Sequence, residues 1–287
     1  MKRIFTLCMV LCTSLAGFAQ TDTTKTESKA DTIRIGGMVI IRDNDGRNRR
    51  IERDTLPRIR NRHRRDKPSN ISTNWWIVDL GFSNYSDNTV YGPGTAADLY
   101  APGSNKSWFN LRDGKSRNVN IWFFMQRMNM IKHVVNLKYG LGLELNNYHF
   151  KQNIRYIDNP PASVDPARVY LDMTANRDYK KNKLAADYLT VPLMLNFNFT
   201  PNRDKGFGFS AGISAGYLYS ARNKTKTSDE GKEKAKDDFE LDRWKLSYVA
   251  ELSMGPVRFY GSYAFKNMYE RGLDMTPYTF GFRFSNW

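Results

Sequence analysis

From His133 to Tyr148 the chain reads "HVVNLKYGLGLELNNY", and Val135, Leu137, Tyr139, Leu141, Leu143 and Leu145 alternate with Asn136, Lys138, Gly140, Gly142, Glu144 and Asn146. A period of two held this long gives an extended strand one apolar and one polar face; a helix would scatter the leucines around its circumference. The run is also long enough to cross a bilayer as a tilted strand, for which about 9–11 residues suffice. No run of about 18 apolar residues occurs in the chain, so the sequence excludes helical spans. Within hydrocarbon every backbone N–H and C=O must be satisfied internally, so a membrane would be crossed only by a closed barrel.

The same alternation recurs seven times. "WWIVDLGFSNY" puts Trp76, Val78, Leu80 and Phe82 opposite Asp79, Gly81 and Ser83. In "RNVNIWFFMQR" the period sets Val119, Ile121, Phe123 and Met125 against Asn118, Asn120, Trp122 and Gln126. "DYLTVPLMLNFNF" and "GFGFSAGISAGYLY" repeat the pattern, the second with a face of Gly and Ser. Trp244 to Leu252, Val257 to Phe265 and Tyr278 to Phe284 complete eight predicted strands. Pro192 removes a ladder donor, which predicts a bulge or weak point in its strand.

The connections between these segments alternate long and short. Tyr85 to Lys115, Phe150 to Asn182 and "ARNKTKTSDEGKEKAKDDFE" are long, whereas "MNMIKH", "TPNRDK" and "MGP" are short, before a medium link "KNMYERGLDM". Outer-membrane barrels show this asymmetry, with long loops outside and short turns in the periplasm. A soluble lipocalin-like barrel also has eight antiparallel strands, but its apolar face would point inward. Here the second face is rich in Gly and polar residues, which suits a narrow filled interior, and Tyr and Trp gather near strand ends as in an interfacial girdle. The fold expected is therefore all-β: an eight-stranded antiparallel up-and-down transmembrane β-barrel over residues 74–287.

Upstream of it, Lys2 and Arg3 precede an apolar stretch from Ile4 to Leu15, with Gly17 and Ala19 before Gln20. That is the layout of a cleavable secretory signal over residues 1–19. Both cysteines, Cys8 and Cys12, fall inside it, so the exported chain would hold no disulfide and no thiol. Residues 20–73 read as a largely disordered, basic periplasmic tether. Ten Arg and one Lys stand against five acidic residues between Arg42 and Lys67. Behind a signal peptide, nucleic acid is not the expected partner of such a run, and no aromatic interleaves it. A periplasmic protein or peptidoglycan is the expected contact of Arg58, Arg60, Arg62, Arg64 and Arg65, and outer-membrane lipid that of the barrel. "TIRIGGMVIIRD" reads as one short strand or a binding segment.

On the inward face the alternation places Asp79, Lys138, Glu144, Lys245, Glu251, Arg258 and Arg283. An eight-stranded barrel is just wide enough for side chains to fill it, and charges buried there must pair. Asp79 and Arg283 lie on the two strands that close the ring, and Glu251 and Arg258 flank one tight turn, so the expectation is a salt-bridge network with a structural role. Catalysis, cofactors and metals find no support: of three histidines, only His149 sits at a height suited to lipid chemistry, and "NNYHFKQN" offers it no serine.

The signal ending "GFAQ", the strands "WWIVDLGFSNY", "YLTVPLMLNFNF" and "GFSAGISAGYLY", and the aromatic terminal strand together resemble the small outer-membrane β-barrel proteins of Bacteroidota, the PorT-like proteins among them. The resemblance implies a Gram-negative outer membrane, an N-terminus in the periplasm and a link to protein secretion by analogy. A non-enzymatic structural or partner-binding role at the cell envelope is expected. A small pore or an outer-leaflet lipid-modifying enzyme are the alternatives.

Overall fold

The computed structural model describes residues 32–35, 38–41, 69–158, 167–175, 177–201 and 206–285. The chain divides into two compact units, residues 1–66 and 67–287. In the first unit the described residues form an antiparallel pair, β1 (Thr32–Ile35) and β2 (Met38–Ile41). "TIRIGGMVIIRD" thus holds two short strands where the sequence suggested at most one. The signal segment and the arginines Arg58, Arg60, Arg62, Arg64 and Arg65 lie outside the described residues.

The second unit is a barrel. Its wall is built from β3 (Ile71–Asp87), β4 (Arg117–Ile131), β5 (Val135–His149), β8 (Tyr179–Asn198), β9 (Phe207–Thr227), β11 (Trp244–Met254), β12 (Val257–Ala264) and β13 (Met275–Phe284). Each pairs antiparallel with its sequence neighbour, and β13 pairs with β3 to close the ring. These eight strands are the ones the alternation predicts. The wall starts earlier than expected, because Ile71 to Thr73, assigned to the tether, pair with Met128 to Gln126.

Outward side chains make an apolar belt. Leu189, Val191, Leu193 and Leu195 on β8 are exposed, as are Phe280, Phe282 and Phe284 on the closing strand, half of whose surface faces outward. Rings pair across strands at both ends of the belt: Tyr217 with Trp244 at 5.1 Å and Tyr248 with Phe265 at 4.7 Å toward the long loops, Phe199 with Phe207 at 5.5 Å toward the short turns. Burying such a belt in water would leave an exposed apolar patch far beyond what soluble monomers carry; in lipid it is the stabilising surface.

Two irregularities depart from the simple period. A bulge at Phe123 lets the ladder skip that residue, so the phase of β4 flips beyond it. Met125, expected outside, is therefore fully buried in the lumen, while Gln126, expected inside, faces outward and accepts from Tyr139 Oη at 2.6 Å. One extra residue shifts every later side chain to the other face. Around Pro192 the β5–β8 ladder is interrupted between Tyr139↔Leu193 and Gly142↔Thr190 with its register intact, the weak point that a missing N–H imposes.

β8 and β9 also run further than the period shows. At 20 and 21 residues they project well past an apolar band about 25 Å tall. From Lys180 to Lys183 on β8 and Arg222 to Thr227 on β9 both faces are polar, with Asn182, Asn223 and Thr225 inward, so no apolar alternation marks these stretches. Pairing of Tyr179 to Asp187 with Ser220 to Thr227 continues the wall regardless.

Candidate functional site

The lumen carries the chemistry that the sequence singled out. Arg283, Asp79, Asn120 and Glu144 are direct cross-strand neighbours on β13, β3, β4 and β5, one row across four strands. Asp79 has no exposed surface and accepts four hydrogen bonds: Arg283 Nε to Oδ1 at 2.6 Å, and Arg283 Nη2, Trp122 Nε1 and Asn120 Nδ2 to Oδ2 at 2.7, 2.7 and 3.1 Å. Arg283 reaches on with Nη1 to Glu251 Oε1, and Lys138 Nζ donates to Glu251 Oε2, so one chain of charges crosses the barrel. Beside it Lys245 Nζ donates to Glu144, which also accepts from Asn146 Nδ2 at 3.0 Å. Of the seven predicted residues, Asp79, Lys138, Glu144, Lys245, Glu251 and Arg283 enter these ion pairs. Arg258 does not face Glu251 across their tight turn; it pairs with Ser253 in the ladder and donates to Ser285 Oγ.

Ions so arranged are held by geometry. A buried carboxylate that accepts four hydrogen bonds, two of them from one bidentate guanidinium, is the arrangement in which desolvation is offset. Apolar side chains interleave with it: Ile77, Trp122, Met125 and Met194 form a small cluster inside the wall, packed by Val249. The two glycines Gly140 and Gly142 give these side chains room; a Cβ on Gly142 would stand 2.7 Å from the Trp122 ring.

Over this layer sits a second core that the sequence did not reveal. The three long connections and the medium one, described over residues 88–116, 150–158, 167–175, 177–178, 228–243 and 265–274, converge at one end of the barrel. They contribute a short helix, α1 (Ala96–Tyr100), and the strands β6 (Ile154–Tyr156), β7 (Val169–Leu171) and β10 (Lys232–Ala235). Tyr100, Phe109, Phe150, Ile154, Phe239 and Leu241 are almost wholly buried there, against Tyr148 and Leu184 from the wall. Tyr100 Oη donates to Phe239 O at 2.8 Å, and the Tyr156 and Tyr269 hydroxyls meet at 2.9 Å. Phe239 and Glu240 both adopt positive φ, 51° and 56°, a conformation that side chains resist and that this packing holds in place.

Ion pairs tie the loops together at the rim of this cap. Glu240 accepts from Arg168 Nε at 2.7 Å and from Arg271 Nη2 at 2.6 Å, joining three loops. Arg177 binds Asp172 at 2.9 Å, Asp229 at 2.9 Å and Glu230 at 2.7 Å. Burial works against the Asp172 carboxylate, yet hydrogen bonds from Thr174, Tyr179 and Arg177 hold its pKa well below the usual range. Glu240 is likewise lowered: burial opposes its charge, and Arg271 and Arg168 outweigh it.

A model of the outer membrane protein beta-barrel domain matches residues 75–273. The chain belongs to this outer-membrane barrel family. Among solved structures, the barrel is similar to the crystal structure of Ail, the attachment invasion locus protein of Yersinia pestis. The identity is 11%, the TM-score 0.28, and the match covers 74% of this chain and 98% of that one. No curated protein matches it. The closed ring of eight antiparallel strands agrees with the family that the domain model gives.

At the opposite end, β3 runs past the end of β13, whose ladder stops at Phe284↔Val78. The barrel has a lateral notch there of about 530 Å³, lined by Trp75, Trp76, Val257, Arg258 and Phe284 among others. His149 closes β5 at the long-loop end and stands opposite Lys183. Among the described residues no group of three or more His, Cys, Asp or Glu side chains is set to hold a metal ion.

Proposed function

We propose that the protein is a non-enzymatic barrel whose lumen is sealed and whose cap and tether serve as contact surfaces at the cell envelope. The observation that carries this is the double filling of the interior: a paired charge layer within the wall, and an aromatic core above it that locks four loops into one body. A pore needs a continuous aqueous path, and a catalyst needs a cleft with an unpaired reactive group; this arrangement favours neither. The cap faces outward and the short turns and basic tether face the periplasm of a Gram-negative cell, in keeping with the distribution of long and short connections. Arg58, Arg60, Arg62, Arg64 and Arg65 then meet a periplasmic protein or peptidoglycan. The likeness of several strands to PorT-like proteins of Bacteroidota supports a place in protein secretion by analogy.

Three measurements test the reading. The protein should fractionate with the outer membrane and run as a heat-modifiable band. It should give no stable conductance in planar bilayers, and a large open channel would overturn the sealed lumen. A His149→Ala strain should show unchanged lipid A composition; an altered lipid A would restore the enzyme reading.

A further inference from the structure

The lateral notch at the short-turn end joins two surfaces that the rest of the wall keeps apart. β13 pairs with β3 only as far as Phe284↔Val78, and with β12 only as far as Phe282↔Phe259. Ile71–Ile77 on β3 and Val257–Arg258 on β12 therefore have no ladder partner, among the described residues, on the sides that β13 serves further up. Val257, Phe282 and Phe284 point outward into the apolar belt, whereas Asn74, Arg258 and Arg283 point inward, and all six line the same space of about 530 Å³. Small-molecule sites have volumes of about 300–1,000 Å³. The notch is thus a passage through the wall, from the belt to a polar interior.

At its inner end two donors are left over. The Asn74 side chain is almost wholly buried, and its Nδ2 makes no hydrogen bond among the described residues. Arg258 is buried as well; its guanidinium donates to the neutral Ser285 Oγ, and among the described residues no carboxylate pairs with it. Arg283 beside them is already committed to Asp79 and Glu251. A buried guanidinium without a counter-charge and an amide without an acceptor are both costly unless an anion joins them.

The outer end is apolar. Trp75 and Trp76 are consecutive yet both exposed, which the regular alternation of a strand does not allow. Trp76 achieves it at a φ of 56°, a conformation that a bulky side chain resists. The kink turns two indole rings toward the mouth that Phe284 completes.

One occupant satisfies both ends, an amphiphile with its anionic head inside and its alkyl chain outside. The head has to be compact, because the Arg283–Glu251–Lys138 chain fills the lumen behind it. A carboxylate meets that limit and matches a guanidinium in shape and charge. We propose that the notch binds a long-chain fatty carboxylate, its head on Arg258 and Asn74 and its chain laid across Trp75, Trp76 and Phe284 into the belt. The site goes beyond the sealed-lumen reading and does not depend on which leaflet the short turns face.

The test titrates the full chain, in nonionic detergent at mildly alkaline pH, with palmitate, with hexadecanol and with palmitoyl lysophosphatidylglycerol, bound molecules being counted by native mass spectrometry. Palmitate should bind with single-site stoichiometry, and hexadecanol about tenfold or more weakly. Arg258→Gln should lose palmitate affinity by about ten- to a hundredfold while its hexadecanol affinity stays at the parent's value. Trp76→Ala, at an exposed position, should weaken palmitate and hexadecanol alike. Should Arg258→Gln not migrate as a folded barrel, Asn74→Ala should still lose several-fold for palmitate alone. Unchanged palmitate affinity in the folded variant, or equal binding of hexadecanol and palmitate by the parent, overturns the proposal. Tighter binding of the lysophospholipid than of palmitate would make the head a phosphodiester and overturn the carboxylate assignment.

Discussion

The Asp79–Arg283 pair allows a prediction with opposite outcomes for one and two substitutions. Asp79→Leu alone leaves Arg283 with Glu251 alone, itself shared with Lys138, and strips Trp122 Nε1 and Asn120 Nδ2 of their acceptor. Removing one partner of a buried pair costs about 3–5 kcal/mol. At about 1.4 kcal/mol per factor of ten, the unfolding constant rises by two to four orders of magnitude. The double variant Asp79→Leu, Arg283→Met removes both charges and refills the space. It should lie near the parent or above it, since apolar replacement of a buried pair is often neutral or stabilising. Urea unfolding in lipid vesicles, followed by tryptophan fluorescence and by the heat-modifiable band, gives the full double-mutant cycle. Conductance of the double variant should stay closed, because the aromatic cap remains. If the double variant loses as much as the two single variants summed, the charges are not coupled and the reasoning fails.

Three further outcomes follow from the same geometry. Phe239→Ala empties the centre of the cap core and should cost about 3–5 kcal/mol of cap stability, read as accelerated proteolysis of the long loops while the barrel band persists. Gly81→Ala would place a Cβ 2.2 Å from Phe280 O and 2.4 Å from Tyr260 Oη at the seam, and should destabilise by about 1–3 kcal/mol; Gly261→Ala, whose nearest neighbour is Thr279 O at 3.6 Å, should be tolerated in the same urea titration. Asp172 and Glu240 have folded pKa values below their unfolded ones, so their stabilisation is complete above the unfolded carboxylate range near about 4 and is lost as pH falls below it. The protease resistance of the cap should therefore drop in acid, and Glu240→Gln should lower it already at neutral pH and flatten its pH dependence.

The wall was legible because lipid on one side and a filled lumen on the other enforce a period of two. That period made Asp79 and Arg283 recognisable as inward before any register was known. It failed where its physical cause lapses. At Phe123 one bulged residue reverses the phase, and no local sequence signal separates Met125 from an outward methionine. The upper ends of β8 and β9 stand in water on the outside and against polar groups inside, so Lys181 to Asn182 and Asn223 to Lys226 read as loop. The cap was missed for a different reason: Tyr100, Phe150 and Phe239 come from three connections far apart in sequence, each too short to show a face. Their burial exists only once four loops meet. The pairing of Arg258 with Ser285 likewise depends on how a turn and a chain end lie together, which residue type alone does not encode.

The seam between β13 and β3 also sets the order of events in assembly. Every other wall pair joins strands that are consecutive along the wall, whereas Arg283 and Asp79 are 204 positions apart. Bringing the ends of so long a segment together costs about 5 kcal/mol in chain entropy if nothing else has formed. Ring closure therefore becomes favourable only after the hairpins between have shortened the gap, and it waits for the last strand, the 10 residues Met275–Phe284. Until that strand is delivered, β3 and β12 are unsatisfied edges, ready to pair with another chain. A copy clipped before Met275 is thus an open, self-associating sheet, which gives the cell a physical basis for removing incomplete chains before they reach the membrane.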